Sequence, residues 1–295
     1  MRPEPLAYTV TEISAMGKNA AARETTARKL RYLPREHGAT AMLLTPIACT
    51  AMLARAWRWS ELATLTAAFA ALAAKDPLVV LFRQQFVWKQ LHPETRTAAR
   101  WFVLWAALFC GSGLALLVSW PWKASVAMGA GLVAYSVLAV VVNVKNKQRS
   151  TLFQVASAAA LTSSALACAI SATGTVPAWC WWLWGLLALH ATVGILVVHA
   201  RLDARIALRS PAANAKQSRQ TALTALTLLA CSAVAAAIAR QTWIALALAI
   251  ATAGFGYDLA SQRGVEALQM PLMKVGRRAL TLSLVFSVLV IVGLW

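Results

Sequence analysis

Nine apolar runs, each near the length needed to cross a bilayer, constrain this chain more than any other feature. They fall at roughly 38–55, 62–82, 101–119, 124–142, 151–171, 178–199, 221–239, 242–259 and 278–295, against about 20 residues for a helix spanning the hydrocarbon core. The runs are continuous, rich in Ala and Leu, and do not alternate as barrel strands do, so helices are expected. With 60% hydrophobic and only 13% charged residues, a soluble surface is excluded. The expected fold is an all-α polytopic membrane bundle of about nine transmembrane helices, residues 34–295, preceded by a polar N-terminal tail, residues 1–33.

The basic residues orient that bundle. Outside the spans or at their very ends, Lys and Arg divide 23 to 4 between alternate segments, and Lys75, well inside a span, completes the 28. By the positive-inside rule the N-terminus and the even-numbered loops are cytoplasmic and the C-terminus at Trp295 is outside. The Trp residues follow the same asymmetry. Trp57, Trp59, Trp120, Trp122, Trp179, Trp181, Trp182, Trp184, Trp243 and Trp295 gather at the outer ends, whereas Trp88, Trp101 and Trp105 lie near the cytoplasmic side. The polar start lacks the apolar core of a signal peptide, and the expected location is a bacterial inner membrane. The net charge of +18 is spread in short clusters between spans, which suits anionic lipid rather than nucleic acid.

Within this frame a few polar residues need an explanation. Lys75 and Asp76 lie inside the second span, where a central charge costs about 2.5–3.5 kcal/mol on insertion scales. Pro77 follows, removing an amide donor and predicting a kink beside the pair. The pair either neutralises itself and snorkels or marks a site. Arg35, Glu36 and His37 stand at the cytoplasmic mouth of the first span. Arg83 ends the second span, Arg96 and Arg100 open the third, Lys145 and Lys147 follow the fourth, and Arg201, Asp203 and Arg205 follow the sixth. Tyr257 and Asp258 read as the end of the eighth helix. His190 and His199 are nine residues apart and share no ligand face. Cys49, Cys110, Cys168, Cys180 and Cys231 have no paired spacing and read as packing residues. Gly111, Gly113, Gly129, Gly131, Gly254 and Gly256 are expected to let helices approach closely.

The strings PREHG, from Pro34, and KDPLVVLFRQQF, from Lys75, resemble the YwiC-like family of bacterial integral membrane proteins. The wider arrangement is similar to the UbiA-type intramembrane prenyltransferases, whose opening motif Arg35, Gly38, Leu43 and Pro46 approximate. That resemblance implies nine helices and a prenyl diphosphate held through Mg²⁺ on two aspartate-rich motifs. Laid on this sequence, the first motif keeps only Asp76, with Val79 and Arg83 where aspartates would stand, and the second keeps only Asp203 among arginines. Two isolated carboxylates make a poor cage for paired magnesium ions, whereas Arg and Lys bind phosphate without a metal.

The expected function is therefore a cytoplasm-facing cationic site for an isoprenoid diphosphate or anionic lipid headgroup. Arg35, His37, Lys75, Asp76, Arg83, Arg96, Lys147, Asp203 and Arg205 are its candidate residues, membrane lipids its partners, and it has no cofactor. Two alternatives remain: a UbiA-type enzyme using one Mg²⁺ on Asp76 and Asp203, and a transporter of a small ion or molecule built on the charged pair.

Overall fold

Backbone amides inside a bilayer have no water to bond, so the apolar runs resolve into helices that satisfy their own N–H and C=O groups. The structure, a computed structural model, describes residues 37–55, 57–90, 94–119, 122–144, 150–208 and 215–295. The helices are α1 His37–Ala54, α2 Trp59–Phe82, α3 Thr95–Ser119, α4 Trp122–Val144, α5 Thr151–Thr162, α6 Ser164–Thr173, α7 Ala178–Ala207, α8 Ala215–Ile238, α9 Thr242–Ser261, the short α10 Val265–Gln269, and α11 Leu272–Leu294. No strand occurs among the described residues. The expected tail, Arg35, Glu36, Lys145 and Lys147 lie outside them, and of His37 only the helical backbone is described.

Among the described residues, seven helical stretches are long and apolar enough to cross a membrane, counting α2 with its continuation to Trp88 and α5 with α6 as one stretch each. Two shorter apolar segments, Gly38–Ala54 in α1 and Met128–Val142 in α4, accompany them. One departure from the expected runs has a local cause. The run at 151–171 is broken at Ser163, in the hydroxyl-rich sequence Thr162-Ser163-Ser164. There the Thr162 Oγ1 donates to the Ala158 carbonyl (2.8 Å) and Ser163 Oγ to the Ala160 carbonyl (2.7 Å), the backbone competition that makes such residues helix breakers. At Pro77, by contrast, α2 runs on as helix to Phe82 and continues as a π-helical turn, Arg83–Trp88, before Lys89 enters the left-handed region (φ 51°).

Packing divides the bundle in two. One core joins α7, α8, α9 and α11 around Leu183, Val193, Leu229, Leu248, Phe286 and Val290, with Cys49 of α1 and Ala165 and Ala169 of α6 at its flank. His190 belongs here, stacked on Phe286 with ring centroids 4.3 Å apart. A second cluster joins α2 to α3 through Ala70, Ala73, Phe69, Trp101 and Trp105, with Trp105 edge-on to Phe69 at 5.9 Å. Side chain to backbone bonds hold α1 to α6: Ser164 Oγ donates to the Leu43 carbonyl (2.9 Å) and Thr50 Oγ1 to the Ala165 carbonyl (3.3 Å). The Cys168 thiol adds a longer contact to the Ile47 carbonyl, 3.6 Å. Of the five cysteines, Cys49, Cys168 and Cys180 are buried while Cys110 and Cys231 are exposed, and all are free thiols.

The glycines split between two roles, only one of which was expected. A Cβ on Gly293 would lie 2.8 Å from Ile244 Cγ1 and 3.3 Å from the Ile244 backbone nitrogen, and one on Gly254 2.8 Å from Leu282 Cδ2. These two permit the close approach of α9 and α11. Gly111, Gly113, Gly129 and Gly131 have nothing within 4 Å of such an atom, so they bring no neighbour close. Gly293→Ala is therefore expected to destabilise the protein by about 1–3 kcal/mol through overpacking, lowering the melting temperature in detergent by several degrees. Gly129→Ala should leave it unchanged or slightly raised, because Ala is the better helix former. Thermal unfolding of the two purified variants checks the contrast.

Candidate functional site

A cavity of about 930 Å³ is walled by α2, α3, α4, α5 and α6, with Leu43 contributed by α1. Its lining is largely apolar, and Gly113, Gly129 and Gly131 face it, which explains why those glycines meet no neighbour. On α2 the lining residues Thr64, Ala67, Ala68, Ala71, Leu72 and Lys75 recur at the three- and four-residue spacing of one helical face. Thr64 and Lys75 stand about 16 Å apart along that face, from the helical rise. The break at Ser163 places both Ser163 and Ser164 in the wall, and Tyr135 and Ser136 of α4 add two further hydroxyls. Lys75, half-buried, is the one ionisable lysine, arginine, aspartate or glutamate among the described lining residues.

The remaining sequence candidates are placed as follows. Asp76 is half-buried on the next residue of α2 and is not in the cavity wall. Arg83 begins the π-helical turn, its backbone N–H donating to the Val79 and Val80 carbonyls. Gln84 is buried in that turn and accepts a hydrogen bond from Thr95 Oγ1, closing the α2–α3 connection. Arg96 is exposed in the first turn of α3.

Asp203 and Arg205 of α7 are bonded to other elements. Asp203 accepts from Ser218 Oγ of α8. Arg205 donates through Nε to the Leu268 carbonyl and through its terminal nitrogen to the Met270 carbonyl, beyond α9. Nearby, Arg278 Nη1 of α11 donates to Asp258 Oδ1 of α9 at 3.1 Å and lies over the Tyr257 ring, 5.4 Å from its centroid. Arg201 is only 2% exposed and within electrostatic reach of Arg205, Asp258 and Arg278.

Sequence reasoning treated Asp258 as a helix end and did not name Arg278 at all; the pair spans 20 residues and two helices. The signal available was a lone carboxylate at the end of an apolar run, with Arg201 and Arg205 one turn apart on another. The two histidines also part company. His190 is in the core, and His199 Nε2 lies 2.5 Å from Gln154 Oε1, joining the end of α7 to the start of α5.

The Mg²⁺ that the UbiA resemblance implies finds a poor donor set. Among the described residues no three His, Cys, Asp or Glu side chains converge, and Asp203 is bonded to Ser218 on another wall of the bundle.

These features define a multi-pass helical membrane protein with an apolar intramembrane cavity that carries one lysine. A family model described as YwiC-like protein matches residues 33–169. This stretch, where the chain is similar to the YwiC-like family, holds α1 to α5, most of α6 and all the described cavity walls. No curated protein matches the chain.

Asp258 is an opposite charge within electrostatic reach of Arg201, beside the like charges of Arg205 and Arg278. Asp258→Asn is therefore expected to destabilise the protein more than Arg278→Gln, whose side chain is 48% exposed against 10% for Asp258 and so retains water when its partner is lost. Melting temperatures of the two variants in detergent, together with the double variant, measure both the order and the coupling.

Proposed function

We propose that the protein binds an amphiphile with an anionic head, an isoprenoid diphosphate or an anionic lipid, in the cavity between α2, α3, α4 and α5–α6. The observation that carries this reading is Lys75 in the wall of an otherwise apolar cavity of about 930 Å³. A lysine at membrane depth marks a binding site by default, since it requires an anion or a polar neighbour to offset its desolvation. The head would sit at Lys75, assisted by Arg83 two turns further along α2, and the tail would extend toward Thr64 along the alanine face. Arg35, His37, Asp76, Arg96 and Lys147 complete the proposed mouth. Ion pairing by these cations would hold a phosphate without a metal, and the scattered carboxylates argue against the Mg²⁺-dependent chemistry of UbiA-type enzymes.

The proposed setting is a UbiA-like bundle of nine spans in a bacterial inner membrane. Its N-terminus and even-numbered loops are cytoplasmic and Trp295 is outside. Seven long apolar helices and two shorter ones support the count. Contacts between helix ends support the alternation, because each joins ends assigned to one side. Arg55 after α1 stacks over Trp295, 4.3 Å from the ring centroid, and Ser60 at the start of α2 bonds the Ser171 carbonyl in α6 (2.9 Å). Gln154 meets His199, and Arg205 meets Leu268 and Met270, at the opposite end. A periplasm-active reporter fused after Trp295 should be active, and one fused between α7 and α8 should be silent; the reverse pattern would overturn the orientation.

Binding is tested by native mass spectrometry of the full chain in mild detergent, titrated with farnesyl and geranylgeranyl diphosphate with and without Mg²⁺. Metal-independent retention is expected, weakened about tenfold in Lys75→Ala, which corresponds to about 1.4 kcal/mol. Gly131→Leu should abolish retention by filling the cavity while leaving the melting temperature intact, since nothing lies within 4 Å of a Cβ there. Strict Mg²⁺ dependence would return the enzyme reading, and no retention under either condition would overturn the isoprenoid assignment.

A further inference from the structure

The residues that line the Lys75 cavity are not equally enclosed. Those supplied by α1, α2, α5 and α6 are all buried or half-buried, and so is Ser163 at the α5–α6 break. The exposed ones, Cys110, Leu114, Leu117, Val126 and Gly131, all belong to α3 and α4, and Leu114 is 66% exposed. A residue that both lines a cavity and is exposed stands at its mouth, so the mouth lies between α3 and α4. Gly113, Gly129 and Gly131 keep this side wide, since no atom lies within 4 Å of a Cβ built on any of them.

The mouth and the lysine lie at opposite ends of the cavity. Phe69 of α2 packs on Trp105 of α3, and the two helices run antiparallel across this contact. Cys110, Leu114 and Leu117 follow Trp105 toward the turn into α4, and Val126 and Gly131 lie in the half of α4 next to that turn. Lys75 follows Phe69 in the other direction. The rim therefore carries no charge and faces the bilayer, while the cation is at the far end. This polarity matches an amphiphile held head inward, because hydrocarbon is continuous from the cavity to the lipid tails and an apolar wall offers a charged group nothing.

We propose that the cavity opens sideways into the bilayer between α3 and α4, and that its occupant is a resident membrane lipid with an anionic head at Lys75 and a tail that passes out through this opening. The identity of the occupant rests on the reading of Lys75 as the head site, whereas the opening does not. A short, water-borne diphosphate would leave the mouth unused; a lipid whose chain is longer than the cavity uses it.

The test uses the full-length protein in phosphatidylcholine vesicles, irradiated with a small uncharged aryl diazirine dissolved in the bilayer, and the adducts are mapped by peptide mass spectrometry. Leu72 of α2 and Leu161 of α5, half-buried in the cavity wall, are expected to be marked, whereas Leu183 and Leu248 of the main core are not. Gly131→Leu should lose the marks at Leu72 and Leu161 and keep the one at Leu114. Marks confined to exposed side chains of α3 and α4 would overturn the opening, as would equal marking of Leu72 and Leu161 by a charged, water-soluble diazirine. A phosphatidylglycerol carrying the diazirine at its chain end then tests the occupant against the matching phosphatidylcholine. Leu161 should be marked several-fold more by the anionic lipid, and Lys75→Ala should remove that preference. Equal marking by the two lipids would overturn the anionic occupant, and with it the reading of Lys75, while the uncharged diazirine still decides the opening.

Discussion

Every backbone polar group within the hydrocarbon of the bilayer must find its partner inside the protein, and the bundle follows from that constraint. Helices satisfy the backbone. The hydroxyls then have few options: many turn back onto their own helix, as Thr64 does to the Ser60 carbonyl (2.9 Å) and Thr252 to the Leu248 carbonyl (2.7 Å). Those that reach another helix become its fastenings. Ser164 and Thr50 join α1 to α6 in this way, at the place where Pro46 has removed an amide donor from α1. The break at Ser163 belongs to the same logic, since a hydroxyl that bonds backbone locally weakens the helix that carries it.

The fastened α1–α6 pair stands between two separately packed groups, and the cavity lies on its α2–α3 side, bounded by α4 and α5. On one side α7, α8, α9 and α11 close around large side chains such as Phe286 and Leu248. On the other, Phe69, Trp101 and Trp105 bind α2 to α3. Small residues on the facing surfaces of α2, α3 and α4 cannot fill the distance between them. Gly129 and Gly131 therefore act by what they leave open, whereas Gly254 and Gly293 act by letting α9 and α11 touch.

Charge is handled differently in the two halves. Lys75 faces an apolar space from a helix whose other lining residues are mostly alanine. Arg205 and Asp203 are instead drawn into hydrogen bonds that join α7 to α8 and to the segment after α9. Of the described candidate cations, Lys75 lines the cavity, whereas Arg205 bonds the segment after α9. The YwiC-like match covers the cavity-bearing half, so the charges around Asp258 are a property of the remainder.

Apolar run length, the basic clusters and the lysine at position 75 inside an apolar run were legible in the sequence by itself, because the bilayer acts on each segment alone: a helix must be long and apolar enough to cross, whatever it packs against. The strings around Arg35 and Lys75 likewise carried the family resemblance. Tertiary structure alone decided that Asp258 meets Arg278, that three glycines face an open space while two let helices touch, and that Asp203 and Arg205 bond to Ser218 and to the segment after α9. Those outcomes depend on which helix faces bury which, and a residue's neighbours across a bundle are set by packing between segments far apart in the chain, which no single run of sequence contains.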